Sequence, residues 1–471
     1  MAIKRYVATA DNTISNAYKE NLRTRATGSN MGQADVSEVF SIYARQSTSS
    51  AELSRVLTQF RVSDISSDRT AGIIPASGSV NFYLRLFNAE TSKTVPKNFT
   101  IVAQAISRSW SEGDGLDLEN YKDIGASNWI SASQGTPWTS QGGDYHVSPR
   151  YTQAFETGLE DIQIDISELV EQWIAGTKDN YGVGIRLTSS LEDSTTSYYT
   201  KRFFARGTQY FFKKPVIEAR WNSSNQDDRG DFYYSSSLAP PSDNLNTIYL
   251  YNYSRGRLRN IPSVGIGEIY VNLYETLGGS PLTLAIDTPA TGGYVSAGIY
   301  SCSLGVETTA STLFDVWSKD GVEFYTGSIS VQQNLSEGYT EDANYVLSMP
   351  GLKREYQHEQ THKLRLYARE RDWSPNIFTV ANTIPSSLVF ESASYQIFRA
   401  IDGATVVPYG TGSSQHTRLS YDVSGNYFYL DTSILEPNYT YGIRFSIYNL
   451  DSDSYEEQPY TFKIRVVENE Y

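Results

Sequence analysis

Cysteine is nearly missing from this chain: Cys302 stands alone among 471 residues. No intrachain disulfide framework can form, so every domain must be held by its own hydrophobic core, as expected of a chain assembled in a reducing cytoplasm. Histidine is scarce as well, with four residues, which thins the supply of metal ligands and general bases. No run approaches the ~18 apolar residues of a membrane span, and the start, Met1 to Tyr6, lacks an apolar leader. Neither a transmembrane helix nor export by the general secretory route is expected. Positive charge is in deficit, with 39 Lys plus Arg against 53 Asp plus Glu and a net charge of −14. A phosphate backbone would be repelled, and no segregated basic stretch offsets this, so nucleic acid is not an expected partner.

What is abundant is aromatic and β-forming. Aromatics make up 13% of the residues, including 36 Tyr, and stretches with helical periodicity are few, which is an all-β composition. The length exceeds one ordinary domain and suggests two to four. After a β-like piece at Lys4–Thr9, strand patterns recur at Val39–Tyr43, Ser54–Val62, Ser79–Phe87, Phe99–Ile106, Gly182–Leu187, Thr200–Phe204 and Pro215–Trp221. Those are enough for a sandwich of about eight strands. Between them, Ser109–Leu187 carries four of the seven tryptophans among Gly, Asp and Asn and reads as a long loop region draped over the sandwich. It ends in one short helix, where Ile166, Leu169, Val170 and Trp173 share a stripe, Asp165 or Ser167 serves as N-cap and Gly176 as C-cap.

The expected organisation is an N-terminal arm and first strand over 1–37, a jelly-roll-like β-sandwich over 38–222 that draws in part of 8–37, and a polar, Pro-Pro-ended linker over 223–244. Two Ig-like β-sandwich domains follow, over 245–335 and 336–471, separated by a gap near Asn334–Asn344. In the last domain, Thr361-His362-Lys363-Leu364-Arg365-Leu366 and Thr440-Tyr441-Gly442-Ile443-Arg444-Phe445 repeat one pattern, each opening a strand. Leu435-Glu436-Pro437 before Tyr441 is similar to the tyrosine corner of fibronectin type III sandwiches.

Candidate chemistry is sparse. His358-Glu359-Gln360-Thr361-His362 satisfies H-E-x-x-H, but a zincin needs both histidines on one helix face. Here Lys363–Tyr367 alternates like a strand, so the match reads as chance. Glu112, Asp114, Asp117 and Glu119 cluster in a Gly-bearing loop that reads first as a solvated acidic loop, with Ca²⁺ coordination, the one cofactor the sequence suggests, as the alternative. The same acids lack any evidence of a glycosidase spacing. Trp110, Trp129 and Trp138, with Asn128 and Asp144, form either an aromatic platform for a glycan or pins that hold the long loop on the sandwich, the second reading being preferred. Arg229-Gly230-Asp231 matches an adhesion tripeptide by composition alone. No phosphate loop, nucleophile elbow or catalytic triad order stands out, so an enzyme is not expected. Cys302 reads as a small core residue.

In their order, several pieces resemble the DNRLRE domain family of jelly-roll modules: Ala10–Ile14, Arg55–Phe60, Trp110–Gly113, Asn128-Trp129, Trp138–Asp144, the helix ending in Trp173, Asn180–Leu187, Phe203-Phe204, Arg206-Gly207 and Pro215–Glu218. The resemblance spans about residues 8–221. With Ig-like domains behind and no export signal, the whole looks like a structural protein of a tailed-bacteriophage virion of marine type. The resemblance implies a place in the neck, tail or capsid surface, contacts with other virion proteins, and a homo-oligomer assembled in the host cytoplasm. The competing reading is a carbohydrate-binding adhesin that meets a host-surface glycan through its Trp-rich loops.

Overall fold

The computed structural model describes residues 2–92, 94–235, 240, 244–332, 345–371, 377, 387–449 and 452–468. The expected gap near 334–344 lies outside them. The chain forms two compact units, one of residues 2–222 with 414–416 and one of residues 223–413 with 417–471. Both are built of β-sheet.

In the first unit the order is β1 (Ile3–Ser15), β2 (Val36–Tyr43), β3 (Ala51–Phe60), α1 (Val62–Thr70), β4 (Asn81–Leu86), β5 (Phe99–Ile106), β6 (Ser131–Ser133), β7 (Thr136–Pro137), β8 (Tyr145–Phe155), β9 (Ile162–Asp165), α2 (Ser167–Ile174), β10 (Val183–Leu187), α3 (Ser189–Glu192), β11 (Tyr198–Phe204) and β12 (Val216–Arg220). A bulge between Ala8 and Ala10 lets β1 change partner: Ile3–Val7 pair with β12, and Ala10–Ser15 with β3. One strand therefore serves two layers. The first layer continues β12–β4–β9, and the second runs β8–β5–β10–β3, with β2 and β11 beyond β3. Alternation drives Phe82, Leu84 and Leu86 of β4 inward against Ile101, Ala103 and Ala105 of β5 and Ile185 of β10, forming one core between the layers.

The helix ending in Trp173 is present as α2, but Ile166 holds its N-cap position with no side-chain cap bond, in place of the expected Asp165 or Ser167. Asp165 accepts from the Ser167 amide at 2.9 Å. Gly176 takes φ +69° while the amides of Gly176 and Thr177 return to the carbonyls of Trp173 and Gln172, a Schellman ending. Trp173 lies in the main core. The expectation of a single short helix needs correcting, because α1 and α3 are also formed. Only Val62 and Ile65 of α1 are buried; tertiary contacts hold the rest. Arg69 makes a two-pronged ion pair with Glu171 of α2 at 2.6 and 2.8 Å, and Tyr6 donates to Asp68 at 2.7 Å. The Ser109–Leu187 stretch also contains the eleven-residue β8 along β5. Among the residues of β8, only Pro149 and Phe155 are buried, so it lacks an alternating apolar face.

The second unit holds two sandwiches. In the C-terminal one, one sheet runs 345–348, 361–370, 425–431, 420–422 and the other 355–357, 462–467, 440–449, 393–399, 405–407. That is the ABED plus GFCC′ order of an immunoglobulin-type sandwich, with 355–357 parallel to the last strand. The repeated sequences open matching ten-residue strands, Thr361–Glu370 and Thr440–Asn449, one in each sheet. Tyr395, Phe428 and Phe445 stack between the sheets at 4.3 and 5.9 Å. The tyrosine corner is formed: the buried Tyr441 hydroxyl donates to the Glu436 carbonyl at 2.7 Å.

The preceding sandwich strings seven strands on one path, and Ala290–Ser296 passes from pairing with 269–274 to pairing with 299–304. Cys302 is buried in its core beside Tyr300 and Trp317, and burial pushes its thiol up to about 12. The 223–244 stretch, read from composition as a linker, supplies a 3-10 turn at Asp228–Gly230 and a strand at Phe232–Tyr233 that runs parallel to Val322–Gln332. Replacing Tyr441 by Phe leaves the Glu436 carbonyl without its donor, and chemical denaturation should show a loss of about 1–2 kcal/mol in the C-terminal sandwich.

Candidate functional site

The outer face of the second layer of the first unit is not left to solvent. Leu57, Ile14 and Ile106 point away from the main core and meet Trp110, Trp129, Trp138 and Ala132 in a second apolar cluster. Residues 107–144 are thus packed as a third layer. The tryptophans are 4–9% exposed, and each hides on the order of 200 Å² of ring surface. At about 25 cal/mol per Å² that is roughly 5 kcal/mol apiece, as an upper bound.

Polar groups fix the register of this layer. Trp110 and Trp138 donate their indole N–H to the carbonyls of Tyr181 and Asn128, both at 2.8 Å. Buried Asn12 donates to the Ser127 carbonyl and hydroxyl and accepts from the Met31 amide. Glu112 takes a two-pronged pair from Arg206 at 3.0 Å and the Asp11 amide at 2.8 Å. Asp11, pushed up to about 7 mainly by burial, accepts from the Arg206 amide.

Trp129 and Trp138 therefore pin the loop and form no open aromatic platform, because both rings are buried in the cluster with Leu57, Ile14 and Ile106 and Arg55 lies over Trp129. The acids are separated in the same way. Glu112 is bound to Arg206, Asp117 accepts the amides of Glu119, Asn120 and Tyr121, and the Glu119 carboxylate accepts the Glu20 amide. Asp114 offers its amide to Asp123 at 3.3 Å. Among the described residues no three acidic, His or Cys side chains converge as a metal would require. The H-E-x-x-H run is not helical: Glu359 sits in a turn at φ +58°, and His362 lies on a strand against the Tyr356 ring at 4.8 Å.

Asp144, one of the expected ligand residues, opens onto a cavity. A cleft of about 750 Å³ runs along β3, β10 and β8, lined by Arg55, Arg108, Arg150, Arg186, Asp144 and Glu192, with Gln104, Tyr145 and several hydroxyls. Arg55 grips Glu192 with two bonds of 3.0 and 2.7 Å and donates a third to the Gly142 carbonyl. Its guanidinium lies over Trp129 at 5.2 Å, which ties the cleft floor to the tryptophan layer. Asp144 accepts the amides of Thr139 and Ser140 and pairs with Arg108 at 3.0 Å. Gly184 is required here: a Cβ would lie 2.1 Å from Tyr145, whose hydroxyl donates to Gly142 at 2.8 Å.

Sequence reading passed over these arginines. They are scattered from residue 55 to residue 186, and each looks like an ordinary outward-facing strand charge until β3, β10 and β8 are aligned.

No family model matches the sequence. No curated protein matches it either. Among solved structures, similarity is found to a marsupial T cell receptor (12% identity, 50% of this chain and 70% of that one, TM-score 0.17) and to tandem Ig repeats of Dlar (12%, 43% and 82%, 0.15). A third is the adhesin InvE of Yersinia pseudotuberculosis (11%, 51% and 56%, 0.15); the chain spans 56% of its length. At these scores the architecture rests on the strand pairing itself.

Two substitutions separate pinning from binding. Trp129→Ala should cost about 3–5 kcal/mol and speed limited proteolysis within residues 107–144. Gly184→Ala should cost about 1–3 kcal/mol by displacing Tyr145, read as a lower unfolding temperature.

Proposed function

We propose that this chain is a non-enzymatic structural protein of a tailed-phage virion, in its neck, tail or capsid surface, meeting other virion proteins through its β-sandwich surfaces. The observation that carries this reading is the clasp between the two sandwiches of the second unit. In the segment 225–229, Arg229 enters the first sandwich and makes a two-pronged pair with fully buried Asp315, both bonds 2.7 Å, while Trp317 donates to the same carboxylate. The adjoining residues serve the second sandwich. Asp228 accepts from Tyr421 at 2.6 Å, the Asp227 amide donates to the Tyr421 carbonyl, and the Tyr421 amide donates to Asn225. The same Asp228 also accepts the Thr247 amide of the first sandwich.

A segment hydrogen-bonded to both sandwiches fixes their relation, which suits a rigid spacer better than a hinged receptor arm. It also turns the arginine of the Arg229-Gly230-Asp231 tripeptide inward, its side chain 12% exposed. Tyr- and Arg-bearing sheet surfaces suit protein interfaces, and the ordered likeness of residues 8–221 to surface and structural jelly-roll modules points the same way.

The test is association: after density-gradient purification of phage particles from a lysed culture, quantitative mass spectrometry should find the chain at a fixed, multiple copy number per particle. Recovery only in the particle-free fraction overturns the reading. The clasp has its own check. Arg229→Met strands the Asp315 charge and should cost about 3–5 kcal/mol, measured by denaturant unfolding of the second unit. Burial pushes the Asp227 carboxyl up to about 6, so the stability it contributes is full below the ordinary carboxylate range and is lost as pH rises through 6. The unfolding temperature of the second unit should fall between about pH 4 and 6, and Asp227→Asn should flatten that fall.

A further inference from the structure

The cleft on the first unit carries a charge imbalance that the structure does not resolve internally. Four guanidinium groups face it, from Arg55, Arg108, Arg150 and Arg186, against two carboxylates. Both carboxylates are already matched, Glu192 by Arg55 and Asp144 by Arg108. Arg186 spends its bonds on the Gln104 side chain at 2.7 Å and its neighbouring backbone at 3.4 Å. Among the described residues neither it nor Arg150 has a carboxylate partner. Arg186 is held below the ordinary guanidinium range by burial first and then by Arg55, an effect that Glu192 and Tyr145 oppose and to which Arg150 adds. In a chain of net charge −14, a local surplus of positive charge within one concavity is the opposite of what composition would place there.

We propose that this cleft binds an acidic saccharide, a sugar bearing a carboxylate or sulfate group, with Arg186 and Arg150 taking the anionic group. Guanidinium forks match planar or tetrahedral oxyanions and hold them with charge-assisted bonds. Hydroxyls and an amide, from Ser107, Thr139, Ser140, Ser189 and Gln104, make up much of the remaining lining and suit ring hydroxyls; Gly143, Tyr145, His146 and Val147 complete it. It offers few apolar anchors of the kind on which a peptide interface depends. The volume lies within the ~300–1,000 Å³ usual for ligand clefts. The floor is preorganised, since Arg55 is fixed by Glu192 and Gly142, and Tyr145 is seated over Gly184. No tryptophan lines this cleft, although Arg55 of its floor rests on Trp129, and the assignment does not depend on whether the chain belongs to a virion.

The experiment is calorimetric titration of the full chain with oligogalacturonate and with dextran sulfate, alongside maltotriose, poly-glutamate and inorganic phosphate. Saturable binding of either acidic saccharide is expected, weakening as salt rises. Arg186→Gln should lower the affinity about ten- to a hundredfold, while Arg465→Gln on the other unit should leave it unchanged. If Arg186→Gln lowers the unfolding temperature, Arg150→Gln, altering an exposed side chain, provides the same test. Which of the two acidic probes binds tells carboxylate from sulfate. Failure of both to bind, equal binding of maltotriose, poly-glutamate or phosphate, or indifference to both arginine substitutions overturns the assignment.

Discussion

Burial of both faces of one sheet is the constraint on which the first unit depends. Once the layer of β3, β5 and β10 is covered by the main core on one side and by Trp110, Trp129 and Trp138 on the other, every polar group in between must find a partner inside the protein. Asn12, Asp11, Glu112 and Arg206 are those partners. Asn12 and Asp11, both buried, have no water to meet, and so draw in Ser127, Met31 and Arg206 from far along the chain.

The same constraint shapes the cleft. Arg55 cannot be solvated from the tryptophan side, so it pairs with Glu192 and lies against the Trp129 ring. Gly142 and Gly184 permit that close packing. The charge surplus around Arg186 is then a consequence of position, since its strand neighbours offer amides and rings and no carboxylate. In the second unit an analogous logic operates at Asp315, which is fully buried, and its charge is acceptable only because Arg229 and Trp317 both reach it. An ion pair of this kind adds less to stability than to uniqueness of arrangement, because its loss is costly while its formation roughly offsets desolvation.

Much of the architecture was legible in the residues. Alternation and aromatic content marked the strands, Asp165 and Gly176 marked the ends of α2, and the spacing from Leu435 to Tyr441 marked the tyrosine corner, because each is a local rule with a local cause. The tryptophans were legible as pins for the same reason, since a long Gly- and Asn-rich stretch needs apolar anchors to offset its ordering entropy. By contrast α1 and β8 left little trace. The helix buries two residues and is tied down by Arg69 and Asp68 across the fold, and the strand is an edge that buries only Pro149 and Phe155.

By itself, then, the sequence determined an all-β chain without disulfides, its main strands, one capped helix and the inward role of its tryptophans, since those follow from period, composition and capping chemistry. The tertiary structure alone decided that Asp144 faces a cleft while Trp129 and Trp138 do not, that Arg229 is an internal clasp, and that Arg55, Arg150 and Arg186 share one concavity. Strand register across residues separated by a hundred positions sets those outcomes, and register is a property of the assembled sheet that no local pattern encodes.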